Sequence, residues 1–187
     1  MNGADTVKKL PIRLYGIIRE SIVDGPGLRF VVFVQGCPHG CPGCHNPESH
    51  DPAGGFLTDT EKIWKNFRMN PSIKGITFSG GEPFLWGREL AEVGRAVRAA
   101  GLDVMTYSGY TYEKLLKMAE EDEGVASLLE VTNFLVDGPF IEAERDLTLK
   151  YRGSRNQRIL DITCYPNSTE AAAVNFDVTS AAELRKL

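Results

Sequence analysis

Short apolar runs alternate along this chain with stretches whose apolar residues recur every three or four positions. Runs rich in β-branched and aromatic residues are typical of strands, and six such runs lie at 14–18, 29–34, 73–78, 102–107, 134–136 and 158–163. Helical spacing predicts three helices, over about 60–69, around 90–97 and around 112–119. Strands that alternate with helices indicate a parallel sheet joined by right-handed crossovers.

The length of the chain limits how such a sheet can close. With 187 residues, one domain is favoured over two, and a complete eightfold barrel would need roughly 250 residues. The sequence therefore predicts an α/β fold, a partial (β/α) barrel of about six mostly parallel strands, in a single domain over 1–187. We expect residues 1–10 and roughly 167–187 to be peripheral.

Charge and hydropathy argue against two classes of partner. The formal net charge of −4 comes from interspersed acidic and basic residues, without the concentrated basic face of a nucleic-acid binder. No apolar run approaches the roughly 18–20 residues of a membrane span, and the polar stretch from Met1 to Lys9 lacks the apolar part of a secretory signal. We expect a cytoplasmic protein with no nucleic-acid or membrane partner.

Three of the four cysteines crowd into one loop after the second predicted strand. Cys37, Cys41 and Cys44 have the spacing CxxxCxxC among glycines and prolines, which let a short backbone curl so that the sulfurs point inward together. In a reducing compartment clustered cysteines are more often metal ligands than disulfides. Three thiolates on a [4Fe–4S] cluster would leave one iron without a protein ligand, and catalytic metals need such an open position.

Thiolates also suit other metals, so two alternatives stay open at this point. A structural zinc site of three cysteines and one histidine could recruit His39, His45 or His50. Alternatively, Cys164 could close a four-thiolate cluster that carries electrons. We expect Cys164 to be buried and free, because apolar and polar residues alternate over 159–163 just before it.

The CxxxCxxC loop resembles the signature of the radical S-adenosylmethionine superfamily. The resemblance implies that Cys37, Cys41 and Cys44 hold a [4Fe–4S] cluster and that S-adenosylmethionine chelates its open iron. Reductive cleavage of that cofactor would yield methionine and a 5′-deoxyadenosyl radical. In this family an aromatic residue usually follows the last cysteine and packs near the adenine, a place that His45 takes here. Gly43 and Cys44 would contact the cofactor beside it.

Three later segments could complete a cofactor pocket, since sites form at the carboxyl ends of parallel strands. Gly80, Gly81 and Glu82 follow a predicted strand and are similar to the motif that binds the methionine amino group in this superfamily. Ser108 could reach the ribose hydroxyls or the methionine carboxylate, or it could belong to a helix N-cap. Asp137 could contact ribose, bind a cation, or organise a turn ahead of Pro139.

Further segments narrow the choice of reaction. Residues 21–29 resemble activases that install a glycyl radical in another enzyme, and residues 134–140 and 153–159 are similar to the branch that acts on anaerobic ribonucleotide reductase. That resemblance implies two partners, the large subunit of the reductase and a flavodoxin-like or ferredoxin-like electron donor. It requires no catalytic acid or base, and we nominate none. The alternative enzyme is a radical enzyme that rearranges a small molecule, such as a pterin, into a deazapurine.

Overall fold

Eight strands form a single mixed sheet among residues 7–176, the part of the chain that this computed structural model describes. In chain order the strands are β1 (Pro11–Ser21), β2 (Arg29–Val34), β3 (Phe56–Asp59), β4 (Gly75–Gly80), β5 (Asp103–Tyr107), β6 (Phe134–Asp137), β7 (Arg158–Asp161) and β8 (Ala172–Ala173). The α-helices are α1 (Thr60–Phe67), α2 (Gly87–Ala99), α3 (Tyr112–Ala119) and α4 (Glu123–Val131).

The sheet is parallel only at its centre. Its strand order is β3-β1-β2-β4-β5-β6-β7-β8, and β2, β4, β5 and β6 pair in parallel. The outer pairings are antiparallel. The prediction of about six mostly parallel strands is therefore wrong in count and in direction. Two consecutive strands can pair in parallel only if a long crossover, usually a helix, connects them. The outer pairs have no such crossover, because the turn at 22–28 joins β1 to β2 and a loop without an α-helix, 138–157, joins β6 to β7.

The four central strands end on the same side of the sheet, and this positions the loops that follow them. The register aligns Arg29 of β2 with Gly75 of β4, and Gly75 with Asp103 of β5, at the starts of these strands. At the other end, Val34 lies opposite Gly80. The loops after β2, β4, β5 and β6 consequently emerge together, as the sequence predicts for a site.

Side-chain caps stabilise the first turns of α1, α3 and α4, whereas α2 has none. The Asp59 side chain accepts a hydrogen bond from the backbone of Lys62 in α1, and the Asp122 side chain accepts from Gly124 and Val125 in α4. Helix α4 was not predicted, because its start lies in a charged stretch. Its buried face packs on α2 and α3, and an aspartate before helically spaced apolar residues is the signal that would have revealed it.

The apolar residues divide between the two faces of the sheet. A large core lies between the helices and one face, with Ile76, Phe78 and Val104 among its fully buried side chains. A smaller cluster around Met105, Val136 and Ile159 covers part of the opposite face. The rest of that face borders a cavity.

The predicted peripheral segments fall partly outside the described residues, at 1–6 and 177–187. Within the described part, Val7 is buried in the large core. The Thr60 hydroxyl fixes the segment just after Val7, since it donates to the Lys8 carbonyl (2.5 Å) and accepts from the Leu10 N–H (2.9 Å). No helix among residues 7–176 is long and apolar enough to cross a membrane.

Candidate functional site

A cavity of about 700 Å³ lies at the carboxyl ends of the central strands. The three clustered cysteines line it from the loop after β2, together with Gly80 and Gly81 at the end of β4. Residues that follow β5 and β6 line it as well, and Ile18 of β1 and Phe33 of β2 form part of its wall. We call it the cysteine cavity.

The cysteine loop is held at its base by backbone hydrogen bonds. The Gly36 N–H donates to the Ser49 carbonyl (2.8 Å) and the Cys37 N–H to the His50 carbonyl (3.1 Å). Near its tip the Cys44 N–H donates to the Cys41 carbonyl (3.2 Å), which closes a tight turn. Gly43 lies inside that turn with φ +69°, and a Cβ there would approach the Glu142 carboxylate to 2.9 Å. The turn therefore requires glycine at this position.

The three cysteines offer a donor set that fits an iron–sulfur cluster. All three are free and partly exposed towards the cavity. Burial raises the pKa of the Cys37 thiol above its ordinary value, and the charges of Glu82 and of the other two thiols add to this, whereas a hydrogen bond from the His39 backbone lowers it. Another cavity residue, His50, has a buried Nε2 with no hydrogen-bond partner in the described part of the chain. Thiolates and an imidazole donor suit the sulfur-rich, anionic surface of such a cluster.

The arrangement of possible ligands in the described residues does not support a site for a single zinc ion. Among residues 7–176, no three histidine, cysteine or acidic side chains converge closely enough to hold one metal ion. His39, His45 and His50 all line the cysteine cavity, but His39 is hydrogen-bonded to Glu82 and the His45 ring packs on Phe140, with centroids 5.2 Å apart.

The glycine pair after β4 is required by close backbone packing. A Cβ on Gly81 would lie 2.2 Å from the Gly36 carbonyl oxygen, and one on Gly80 would lie 2.6 Å from the Val34 nitrogen. The Gly81 N–H donates to the Val34 carbonyl and the Glu82 N–H donates to the Gly36 carbonyl, both at 2.8 Å. The pair thus lets the end of β4 lie directly against the base of the cysteine loop, while both glycines still line the cavity.

Glu82 is fully buried, and protein groups surround its carboxylate. Oε2 accepts from the Gly109 N–H (2.9 Å) and from His39 Nε2 (2.6 Å), and Oε1 accepts from the Phe84 N–H (3.1 Å). Ser108 Oγ lies 3.1 Å from both oxygens. Glu82 does not line the cavity, whereas Ser108 does.

Asp137 is also buried away from the cavity, among groups that stabilise the fold. Its carboxylate accepts from the Tyr112 N–H (2.7 Å), near the start of α3. Both of its oxygens accept from the Arg158 guanidinium. Arg158 in turn donates two hydrogen bonds, of 3.0 and 2.9 Å, to Glu113. This network joins β6, β7 and the first turn of α3.

The same network makes stability depend on pH. Two hydrogen bonds from Arg158 are the largest cause that lowers the Glu113 pKa, from an ordinary 4.5 to about 2. A carboxyl with a lowered pKa stabilises the fold fully above its unfolded value, and that contribution is lost as pH falls from about 4.5 towards 2. We expect urea unfolding to show wild type more stable than Glu113→Gln at pH 6, with the difference narrowing at pH 3. A difference that is the same at both pH values would contradict this.

Cys164 is exposed, so the prediction that it is buried is wrong. Strand β7 ends at Asp161, and the chain turns immediately afterwards, so the alternation of apolar and polar residues does not continue to Cys164. It does not line the cysteine cavity. The four-thiolate alternative therefore lacks its fourth ligand there.

The loop 138–157 supplies parts of the site that the sequence reading missed. Phe140, Tyr151 and Gly153 line the cavity beside His45. Tyr151 has φ +60°, a strained value for a residue with a side chain, and its carbonyl accepts a hydrogen bond of 2.7 Å from the Tyr107 hydroxyl. An unusually long connection was the available signal, because such loops are often functional.

A family model and one solved structure match parts of this chain. Residues 23–160 match the family model described as a 4Fe-4S single cluster domain. One solved structure, QueE from Escherichia coli, aligns with a TM-score of 0.43 and 14% identity over 54% of this chain and 53% of that chain.

Several curated proteins are similar to this chain in sequence. The anaerobic ribonucleoside-triphosphate reductase-activating protein of Escherichia coli K12 is 34% identical over 145 residues, covering 73% of this chain and 90% of the relative. Its counterpart from Enterobacteria phage T4 is 31% identical, covering 73% and 86%. The pyruvate formate-lyase-activating enzyme of Clostridium pasteurianum is 40% identical over 114 residues, covering 56% and 48%. The chain therefore belongs to the 4Fe-4S single-cluster family of radical S-adenosylmethionine activating proteins, the group that includes the anaerobic ribonucleoside-triphosphate reductase-activating proteins.

Proposed function

We propose that this chain is an activase that generates a glycyl radical on an anaerobic ribonucleoside-triphosphate reductase. The observation that carries the proposal is the cavity in which three free thiols lie beside the glycine pair at the end of β4. A [4Fe–4S] cluster held there by Cys37, Cys41 and Cys44 would supply the reducing electron for cleavage of S-adenosylmethionine, the chemistry that would give a radical able to take hydrogen from the target glycine. The protein's own tasks are to bind, to orient and to exclude water.

Each predicted site residue has a place in this proposal. We propose Cys37, Cys41 and Cys44 as the cluster ligands, on the basis of their chemistry and shared cavity. Cys44, His45, Gly80, Gly81 and Ser108 line the same cavity, and with Gly43 in the turn between the last two ligands they would bind S-adenosylmethionine. Glu82 and Asp137 are buried behind the wall, and we propose that they shape the pocket.

The His45 ring is the best candidate for the adenine contact. It lies in the cavity and packs on Phe140 at a tilt of 47°. A Cβ on Gly153 would approach the same ring to 3.3 Å, so glycine there leaves the ring room against loop 138–157. Planar rings held in this way offer a rigid, flat surface on which a purine ring can pack.

We propose that the target glycine enters through an apolar rim, formed by Ile18, Val23 and Leu147, around the mouth of the cysteine cavity. These side chains come from β1, from the turn before β2 and from loop 138–157, and all three line the cavity while remaining exposed. Val23 is 72% and Leu147 is 80% exposed. Exposed apolar groups that surround a site are typical of a protein-binding surface.

Charging this rim should separate cofactor cleavage from radical transfer. In Val23→Asp and Leu147→Asp we expect the yield of glycyl radical to fall roughly tenfold, because a charge in a desolvated contact weakens partner binding. Cofactor cleavage without the reductase should stay near the wild-type rate. Electron paramagnetic resonance measures the radical, and chromatography of 5′-deoxyadenosine measures cleavage.

Leu57→Asp is the matched control for the rim. Leu57 lies on β3 with 66% exposure and does not line the cavity, so its replacement should leave both measurements unchanged. Equal radical yields in all three variants and wild type would show that the reductase docks elsewhere.

The remaining parts of the proposal concern fold, donor and location. We propose that the sheet curves into a partial barrel, which agrees with β1, β2 and four strand-end loops sharing one cavity, and that 1–187 is one domain. A flavodoxin-like or ferredoxin-like protein would reduce the cluster. A cytoplasmic location, with no nucleic-acid or membrane partner, agrees with the free thiols and the interspersed charges.

The first test of the proposal needs only the activase and its cofactor. After anaerobic reconstitution and reduction, we expect an iron–sulfur chromophore and the release of 5′-deoxyadenosine and methionine in equal amounts. Purified protein that is colourless, with zinc and no iron by elemental analysis, would overturn it.

A further inference from the structure

His39 links the cysteine loop to the ends of two neighbouring strands. It lies between Cys37 and Cys41, and its backbone N–H hydrogen-bonds the Cys37 thiol. Its ring Nε2 donates to Glu82 Oε2 at 2.6 Å. The edge of the ring also meets Tyr110, with centroids 4.4 Å apart and planes at 72°. One residue thus contacts both a proposed cluster ligand and a buried carboxylate.

One side of the His39 ring is tightly packed, while the residue also lines the cysteine cavity. A Cβ on Gly109 would lie 2.4 Å from the ring, so the backbone after β5 passes directly against it. Since Gly109 also donates its N–H to Glu82 Oε2 (2.9 Å), ring and backbone meet at the same carboxylate oxygen. This packing leaves the ring little freedom to choose another partner.

Glu82 is suited to act as a fixed anchor. It lies two residues after the end of β4 and is fully buried. Its carboxylate accepts from the Phe84 N–H in the 3₁₀ turn Pro83–Trp86 and from groups after β5. Hydrogen bonds to a buried carboxylate are among the stronger ones in proteins. The contact from His39 adds the cysteine loop to this junction.

The part of the cysteine loop between Cys37 and Cys41 has few other attachments, so the contact from His39 to Glu82 matters most there. Backbone hydrogen bonds hold its base at Gly36 and Cys37, and another closes the turn from Cys41 to Cys44. Between these, Pro38 lacks an N–H, and Gly40 has φ +56°. The His39 side chain supplies a long-range attachment in the middle of this stretch.

We infer that His39 is a positioning residue that fastens the cysteine loop to Glu82, so that this carboxylate acts by holding the cluster loop in shape. The inference rests on the proposed function, in which this loop holds the cluster. It assigns Glu82 a role distinct from direct contact with S-adenosylmethionine. It also explains why a buried acidic residue directly follows the glycine pair.

Two variants separate the hydrogen bond from the ring packing. His39→Gln keeps a donor that can reach Glu82 but loses the ring, whereas His39→Phe keeps a ring against Tyr110 but has no donor. After anaerobic reconstitution without reductase or S-adenosylmethionine, a ferrous chelator is added and the release of iron is followed by absorbance. We expect release from His39→Phe to be on the order of tenfold faster than from wild type, the size of effect that one such hydrogen bond can produce. We expect His39→Gln to stay within about twofold of wild type.

Two further measurements keep this test decisive. Thermal unfolding of the metal-free variants shows whether they fold. If His39→Phe does not fold, Glu82→Gln weakens the same contact from the other side, because it removes the charge and one of the two acceptor oxygens. Where cluster remains in His39→Phe, adding S-adenosylmethionine should still change the electron paramagnetic resonance spectrum of the reduced cluster, because the open iron is intact.

The outcomes distinguish this inference from the proposed function. If His39→Phe releases iron at the wild-type rate, or if both variants release it equally fast, the hydrogen bond to Glu82 does not hold the loop and the inference is wrong. If wild type itself takes up no iron, the proposed function fails, and the inference with it.

Discussion

Replacing Cys41 with serine should abolish both the iron–sulfur chromophore and the cleavage of S-adenosylmethionine. Cys41 is the middle member of the CxxxCxxC set, lines the cysteine cavity and accepts, through its carbonyl, the hydrogen bond that closes the turn to Cys44. Serine preserves the size and the turn but replaces a soft thiolate with a hard hydroxyl. Loss of residues that merely support ligands typically costs 10–100-fold, so we expect loss of a ligand to lower cleavage by about 100-fold or more.

Cys164→Ser is the matched control for this experiment. Cys164 is exposed and lies away from the cavity, so its replacement should leave iron content and cleavage intact. Iron content is measured colorimetrically, and cleavage by chromatography of 5′-deoxyadenosine. If Cys164→Ser lost iron as Cys41→Ser does, the assignment of three ligands would be wrong.

The second large effect is expected at Arg29, at the other end of the central strands. This arginine is fully buried and donates to Thr77 Oγ1 (2.9 Å), the Ile76 carbonyl (2.6 Å) and Asp103 Oδ1 (2.5 Å). These partners belong to β4 and β5, so Arg29 ties together the starts of three neighbouring strands. Thr77 also donates to the Asp24 carbonyl (2.7 Å), which fastens the turn before β2 to the same point.

Arg29→Met should therefore lower the free energy of unfolding by about 3–5 kcal/mol. Methionine fills much of the space but leaves the Ile76 carbonyl and Thr77 without their donors. Asp103 loses the positive charge beside it. Removing the fully buried partner of an ion pair whose other side chain is partly exposed, together with the donor of two buried hydrogen bonds, is strongly destabilising for this reason. Urea unfolding followed by circular dichroism measures the change.

Arg19→Met provides the comparison for Arg29. Arg19 is an exposed residue of β1 whose guanidinium donates to the Asn66 side chain, and such surface replacements usually change stability by within about 0.5 kcal/mol. A loss below about 1 kcal/mol in Arg29→Met would mean that the strand starts are held by packing alone.

The sequence predicted the positions of six of the eight described strands, and the cysteine loop, because these depend on local pattern. The six predicted apolar runs all overlap strands, and the parallel centre of the sheet brings four strand ends together as expected. Cys37, Cys41 and Cys44 were recognisable because their spacing is short. They line one cavity, and their role as the cluster ligands stays a prediction.

The roles of the buried acidic residues depend on contacts between distant segments, which local pattern does not contain. Glu82 lies just after β4 and Asp137 is the last residue of β6, and from the sequence alone each was predicted to contact the cofactor. Their actual neighbours include His39, 43 residues before Glu82, and Arg158, 21 residues after Asp137. Buried carboxylates are satisfied by whichever donors the fold brings near, and those donors became visible only in three dimensions.

The burial of single residues was hard to predict for the same reason. Arginine is rarely fully buried, so nothing in the sequence marked Arg29 as a core residue. Cys164 was expected to be buried because the alternating pattern of β7 was extended past its end at Asp161. The direction of the outer strands likewise depends on the connections at 22–28 and 138–157, whose paths short-range patterns do not specify.

The most direct test of the central claim is to look for the radical on the partner. Reduced activase, S-adenosylmethionine and an anaerobic ribonucleoside-triphosphate reductase are mixed without oxygen and examined by electron paramagnetic resonance. We expect an organic radical doublet on the reductase, whose splitting collapses when the reductase is made with α-deuterated glycine. Cofactor cleavage that gives no such signal, or a signal that deuterated glycine leaves unchanged, would contradict the claim.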